Sequence, residues 1–419
     1  MSKKAVLTFL VAMLVVFSAS MSYANQIDGM ASGTGPGLPS GIQSSINPGA
    51  LGDSLLYGYY NVRGNLNLFN VINTGTTSGA KVRVVFRNAK NSVECLDFSV
   101  CLSIGDVWTA YLIDNGTTAA ICPYDIDTLT APPISTCQPF KYEGSGGVSG
   151  VTADDCREGY FEIIGMMDIP NYDSNAASPL LVDAGDCRDY FSGSDLGNVL
   201  MGNNTIFELS TLATYSSNAI AVADTSLAPF PSTVAIDSGG IPAVMDGGCP
   251  EADYMFTKSN VISPYDLIAA LGGETEVIIT FPTRKLCHNV ADAMFDADAS
   301  GKICAKIKTA VWDDTEHRLD ITDFSPGLEQ CLPNEVNVLR IGSSNIWDST
   351  VARIIAVSTF DLGWVDIDLT AGGTPGHSAT YGSMISYGLP SVAYTTQSFV
   401  GSIASYMLPS AYRTKIKSD

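Results

Sequence analysis

Four stretches of this chain gather oxygen, carboxylate or aromatic groups at spacings that chemistry uses. Gly52-Asp53-Ser54-Leu55 sets a serine behind an aspartate, and Asp314-Thr315-Glu316-His317 has the Asp-x-x-His spacing that can orient a general base. Asp296-Ala-Asp298-Ala-Ser300-Gly301-Lys302 offers oxygens at positions 1, 3 and 5, a turn glycine at 6 and the Lys302 carbonyl at 7. Hard Ca²⁺ favours such a cluster, and Asp292 could add a carboxylate. Trp312-Asp313-Asp314-Thr315-Glu316-His317 sets carboxylates beside an indole, as glycosidases do. Trp364, Asp366 and Asp368 alternate, so on a strand they share one face, suited to a sugar or a cation.

Context decides among these. The first block spells the nucleophile motif of the GDSL esterases, in which the serine follows a buried strand and opens a helix. Here Ile46-Asn-Pro-Gly-Ala-Leu51 makes no buried strand, the residues after Ser54 are β-patterned, and the Gly-x-Asn-Asp block is missing. In the calcium stretch the ninth position is Cys304 and the twelfth is Ile307, where a bidentate Glu would close an EF-hand loop. That leaves a calcium loop and a solvated Asp/Ser/Gly turn as its two readings. The Trp312–His317 run falls where a hairpin tip is expected, and charge runs are ordinary at turns. His288, His317 and His377 are too scattered in sequence for a His-rich metal site.

All ten cysteines follow an N-terminal leader. Lys3 and Lys4, the apolar run Ala5–Phe17 and Ser22-Tyr23-Ala24 have the order of a cleavable signal peptide over 1–24. The apolar core is shorter than the about 20 residues that cross a bilayer, and no later stretch reaches that length. The even cysteine count predicts disulfides in an oxidising compartment, extracellular, at the cell surface or periplasmic. Near neighbours suggest Cys122–Cys137 and Cys156–Cys187. Cys95 and Cys101 lie on one predicted strand, about 20 Å apart, too far to bond each other. The formal charge is −21, which argues against nucleic acid and anionic lipid as partners.

The elements that would position these residues are short strands. Val82, Val84 and Phe86 alternate with polar positions, as do Leu96, Phe98, Val100 and Leu102; Leu66 and Leu68 alternate with Asn65 and Asn67. Strand-like sequence returns at 160–166 and 205–223, then at Val277/Ile279/Phe281 and Val365/Ile367/Leu369. Residues 25–50, rich in Gly, Ser and Pro, read as a flexible arm able to add to a sheet edge of another copy. One helix is expected, with Ser263 as N-cap, Pro264 at the first position and Gly272 at its end. The prediction is an all-β chain of two antiparallel β-sandwich-like domains, 51–227 and 261–419, separated by a turn-rich boundary at 228–260.

LLYGYYNVRGNLNLFNVINT, AKVRVVFRNAKNSVECLDFSVCLSIGDVWTAYL, REGYFEIIGM, EVNVLRIG and GLPSVAYTTQSFV, in that order, resemble a pattern in uncharacterised secreted proteins of Gram-negative bacteria. The resemblance lies in strands and turns. It implies a shared fold and an exported location, and it carries no catalytic residue. The sequence thus predicts a secreted, non-catalytic structural or adhesive cell-surface protein, calcium-stabilised and partnered by copies of itself or other surface components. The alternative is a secreted carbohydrate-binding module or glycoside hydrolase-like enzyme.

Overall fold

The computed structural model describes residues 44–125, 128–131, 134–141, 152–170, 172, 187, 193–225, 233–288, 294–297, 303–321, 331–357, 361–371, 377–381, 384–399 and 405–418. The expected leader 1–24 and residues 25–43 of the expected arm lie outside them. The mainly-β expectation holds: the described residues are 57% strand and 10% helix.

In the first half the strands are β1 (Ser45–Ile46), β2 (Ser54–Asn61), β3 (Asn65–Asn73), β4 (Ser78–Asn88), β5 (Glu94–Leu102), β6 (Val107–Asp114) and β7 (Ala119–Pro123). They continue with β8 (Leu129–Ala131), β9 (Gln138–Pro139), β10 (Glu158–Pro170), β11 (Leu200–Glu208), β12 (Thr214–Asn218) and β13 (Ile220–Ala223). Two helices follow, α1 (Thr233–Val244) and α2 (Gly248–Phe256). Next come β14 (Thr257–Lys258), β15 (Asn260–Asp266), β16 (Gly273–Thr280) and α3 (Arg284–Cys287). After them run β17 (Asp296–Ala297), β18 (Ile303–Lys306), β19 (Lys308–Asp313), β20 (Arg318–Ile321), β21 (Cys331–Leu332), β22 (Val336–Ile341), β23 (Ala352–Ile355) and β24 (Leu362–Asp368). The chain closes with β25 (Ser378–Tyr381), β26 (Met384–Tyr387), β27 (Leu389–Pro390), β28 (Val392–Phe399), β29 (Ser405–Pro409), β30 (Ala411–Arg413) and β31 (Lys415–Ser418).

Four large sheets result. Sheet I runs β12-β11-β3-β6-β7-β9 and sheet II runs β1-β13-β2-β10-β4-β5-β8. Sheet III runs β23-β22-β16-β28-β29 and sheet IV runs β20-β19-β24-β15-β30. Pairing is antiparallel except between β22 and β23. Phe69, Val71, Trp108 and Leu112 of sheet I share a core with Leu55, Val82, Val84, Phe98 and Phe161 of sheet II. Val277, Ile279, Leu339 and Ile341 of sheet III share another with Val261, Val311, Val365 and Ile367 of sheet IV. These are two β-sandwiches, as expected from the alternating apolar positions.

A third core joins them. Leu56, Val85, Ile164 and Val222 on the far face of sheet II meet Ile278, Val338, Tyr394 and Met407 on the far face of sheet III, with side chains of α1 and α2 filling in. The sheets therefore stack in the order I, II, III, IV. Burial follows this layering: all eight residues of β2 are buried, whereas β3 and β24, in outer sheets, alternate. An inner sheet reads as a continuous apolar run and an outer one as alternation. In β3 the phase puts Asn65, Asn67, Phe69 and Val71 inward and leaves Leu66 and Leu68 half-buried on the outside.

The interface between sandwiches also encloses carboxylates. Glu158 of β10 is buried and accepts hydrogen bonds from Tyr59 Oη (3.0 Å), Ser349 Oγ (2.5 Å), Thr350 N (3.0 Å) and Thr350 Oγ1 (3.2 Å). Glu162 accepts from Arg87 Nε (3.0 Å) and Ile241 N (3.0 Å). Thr280 Oγ1 donates to the Gly58 carbonyl at 2.6 Å, and Val336 N donates to the Ala89 carbonyl at 2.9 Å. Such bonds fix one docking geometry, because an unpaired polar group here would keep its full desolvation cost.

All ten cysteines are paired. Cys122–Cys137 forms as expected. Cys156–Cys187 does not: Cys156 bonds Cys95, and Cys187 bonds Cys101. The reason is the sheet order. β4 lies antiparallel between β5 and β10, so β5 and β10 run parallel. The 3₁₀ turn Ala153–Arg157 that precedes β10 therefore meets the start of β5, and the segment after β10 meets its end. Cys249–Cys287 and Cys304–Cys331 complete the set, and no disulfide crosses from one sandwich to the other.

The expected helix at 263–272 is instead strand β15, paired with β24 and β30, followed by a single 3₁₀ turn, Ala269–Leu271. Gly272 does take the left-handed conformation, at φ 59°. Pro264 fits because its carbonyl accepts from Gln397 Nε2, away from β24, so its missing N–H breaks no β15–β24 bond. The helices lie at α1 and α2, in the interval read as turn-rich.

Candidate functional site

Ser54 and Asp53 open strand β2 in the interior. Ser54 is fully buried, its Oγ 3.2 Å from Thr225 Oγ1. Asp53 accepts from Thr225 Oγ1 (2.7 Å) and N (2.9 Å), and burial pushes its carboxyl up to about 7. The exposed His317 belongs to the β19–β20 hairpin of the other sandwich, so the structure does not bring the serine and this histidine together. Asp313 organises that hairpin tip, accepting from Thr315 N (2.9 Å), Thr315 Oγ1 (2.9 Å), His317 N (2.8 Å) and His317 Nδ1 (3.1 Å). Against a desolvation penalty, these bonds hold its carboxyl below the usual range.

Of the calcium stretch, Asp292, Asp298, Ser300 and Lys302 lie outside the described residues. Asp296 starts β17, and its Oδ2 lies 2.8 Å from Nε2 of the buried His377, whose Nδ1 is 3.0 Å from the Leu369 carbonyl. Among the described residues no group of three or more His, Cys, Asp and Glu is placed to hold a metal ion.

The outer face of sheet IV does assemble residues that the sequence singled out. Val365 and Ile367 point into the core, which leaves Trp364, Asp366 and Asp368 on the outside, as their spacing predicted. The ladder then adds what spacing could not reveal: Trp312 stands opposite both Trp364 and Arg318, and Trp364 opposite Pro264. The indole planes are 2° apart with centroids 4.0 Å apart. The Arg318 guanidinium carbon lies 5.1 Å from the Trp312 ring centroid, which is cation–π range. One row of the face thus reads Arg318, Trp312, Trp364, Pro264. In the next, Asp366 accepts from Asn260 Nδ2 (2.7 Å) and pairs with Arg413 Nη1 (3.3 Å). Arg318 pairs with Asp320 at 2.6 Å. Asp368 turns to its own loop, accepting from Thr370 N and Oγ1.

The outer face of sheet I has a different character. Its outward side chains are Leu66, Leu68, Asn70 and Ile72 of β3, with Val107, Thr109, Tyr111 and Ile113 of β6. Met201, Asn203, Thr205 and Phe207 of β11 and Thr214, Ser216 and Asn218 of β12 extend it. No outward position of β12, β11, β3, β6 or β7 is Asp, Glu, Lys, Arg or His. Val107 is 43% exposed and Met201 36%.

One feature went unnoticed in the sequence. His288 Nε2 lies 2.8 Å from Asp253 Oδ2, and Thr283 Oγ1 donates to Asp253 Oδ1 at 2.5 Å. The pair lines an open depression of about 270 Å³ with Pro250, Met294, Ser378 and Thr380. The adjacency of Cys287 and His288 was the available signal, since a disulfide there immobilises the histidine backbone. No helix among the described residues is long and apolar enough to cross a membrane. Comparison with known proteins adds no relative: no family model, no curated protein and no solved structure matches this chain.

Proposed function

We propose that this chain is an exported, non-catalytic structural or adhesive cell-surface protein that associates with copies of itself through the outer face of sheet I. The observation that carries this reading is the pairing of an uncharged face, about half apolar, with a chain whose formal charge is −21. Two acidic copies repel wherever their carboxylates meet, and this face lets them approach without such contacts. Exposed apolar sheet faces mark interaction surfaces. With strands about 4.8 Å apart and about 3.3 Å per residue, two facing copies would bury on the order of 1,000 Å², the low end for a specific interface.

Five disulfides support the exported location, since such bonds persist in oxidising compartments. Calcium stabilisation rests on the Asp296–Lys302 spacing alone; calorimetry with millimolar Ca²⁺ tests it, and an absence of heat removes it. Sedimentation velocity of the chain without residues 1–24 tests self-association. Dimers or larger species should appear in the micromolar range, and Leu68→Lys with Met201→Lys should abolish them while leaving the melting temperature in place. A wild-type chain that stays monomeric up to about millimolar concentration would refute the proposal.

A further inference from the structure

The geometry points to a second binding surface: we infer that the open side of Trp364, with Pro264, Asp366, Asn260 and Arg413, receives a neutral sugar ring of a glycan chain. Trp312 is enclosed, with the Trp364 indole against it and the Arg318 guanidinium at 5.1 Å. Trp364, half-buried, has the Trp312 indole on one face, and among the described residues no second ring and no cation lies against it. Across the ladder on that side is Pro264, exposed and too small to cover an indole. The stack thus holds Trp364 rigid from one side, with Pro264 and no ring or cation on the other. A rigid aromatic wall loses little conformational entropy when a ligand packs on it.

The polar groups select the ligand class. A pyranose ring presents C–H bonds on its faces and hydroxyls around its rim. The C–H bonds suit the indole face, and the hydroxyls suit planar side chains already fixed by one another. Asp366 is held from two sides, by Asn260 Nδ2 and by Arg413 Nη1, so its carboxylate is oriented before any ligand arrives. Beside the Trp pair the charges are matched, Arg413 with Asp366 and Arg318 with Asp320, while Lys308 stands four residues from Trp312 on β19, opposite Asp368. Beside Trp364 a cationic ligand would need a carboxylate without a partner, and an anionic one a free cation. A neutral polyhydroxylated ligand needs neither, and the carboxylate–amide–guanidinium cluster can both donate to and accept from its hydroxyls.

This surface is on sheet IV, at the opposite end of the stack from the face proposed for self-association, so either assignment can fail alone. The test is affinity electrophoresis of the chain without residues 1–24 in gels containing cellulose, xylan, mannan or glycol-chitin derivatives. Polygalacturonate serves as the anionic control, and choline as the cationic control in a fluorescence titration. At least one neutral polysaccharide should retard the wild type. Trp364→Ala should weaken that binding tenfold or more, Trp364→Phe should restore part of it, and Arg318→Ala should change it less than twofold. All of these side chains are on an outer face, and unchanged melting would confirm that the variants fold. Three results would overturn the inference: no retardation by any neutral polysaccharide, tighter binding of choline or polygalacturonate, or a Trp364→Ala chain that binds like the wild type.

Discussion

Asp253 and His288 are brought together by a covalent bond that neither of them makes. Their side chains meet at 2.8 Å across 35 residues of sequence, and the Cys249–Cys287 disulfide ties the same two segments, four residues before Asp253 and one before His288. The hydrogen-bonded pair and the depression it lines are therefore downstream of an oxidation step. Replacing both cysteines with serine should lower stability by about 4 kcal/mol on the chain-entropy account of a 38-residue loop. It should also loosen the pair, which histidine resonances in NMR would report as a shift of His288.

Glu158 should be the costliest single carboxylate to neutralise. Its oxygens gather donors from Tyr59 in one sandwich and from Ser349 and Thr350 in the other. A glutamine turns one acceptor into a donor that faces other donors. Glu158→Gln is expected to cost about 2–4 kcal/mol. Urea unfolding followed by tryptophan fluorescence measures this, and a transition that splits in two would locate the damage at the contact between sandwiches.

Gly240 allows a backbone turn directly over a buried ion pair. Its φ is 56°, and a Cβ there would sit 2.4 Å from Glu162 Oε2. The Ile241 N–H that follows donates to Glu162 Oε1, while Arg87 holds the other oxygen. Gly240→Ala should destabilise by roughly 2 kcal/mol or more, since it combines left-handed strain with a clash on a buried charge. Thermal melting would register the change as a fall in Tm.

Stability should decline as pH rises from weakly acidic to mildly alkaline. Burial raises the Glu276 carboxyl to about 8, against the lowering effect of Arg340 and the Ile346 N–H. One of its oxygens, Oε2, has no hydrogen-bond partner among the described residues. The folded chain then holds a proton that the unfolded chain releases at ordinary carboxylate pH. The associated stability is complete below about 4.5 and is lost progressively up to about 8. Asp53, raised to about 7 by burial, adds in the same direction. Glu276→Gln should flatten this slope and leave the chain more stable than wild type at pH 8, measured as ΔG from urea titrations across the range.

Alternating apolar residues made the strands legible, and the inward sets Val82/Val84/Phe86, Val277/Ile279/Phe281 and Val365/Ile367/Leu369 all reach the cores they implied. What escaped depends on partners distant in sequence. Ser263-Pro264 and Gly272 look like helix punctuation, yet pairing with β24 and β30 overrides that local signal. The α1 segment breaks at Gly240, whose φ of 56° and ψ of −149° are not helical, and its second turn, with Pro242, is held by the packing of Ile241 and Val244 against the central core. Trp364, Asp366 and Asp368 share a face by spacing alone, but the Trp312–Trp364 stack is set by ladder register, which no local pattern encodes. The same holds for Cys95 and Cys101, whose partners follow from the parallel course of β5 and β10.

The confinement of every disulfide to one sandwich or the other has a mechanical consequence. Pulled from its two ends, the molecule should yield first where sheet II meets sheet III, because only packing and hydrogen bonds hold that plane. Further extension is then limited. The overlapping Cys95–Cys156 and Cys101–Cys187 bridges keep the chain between Cys95 and Cys187 from paying out in full, and Cys249–Cys287 and Cys304–Cys331 lock two shorter lengths beyond it. Under tension such a protein gives a little at a seam that can close again, and it stops well short of its contour length.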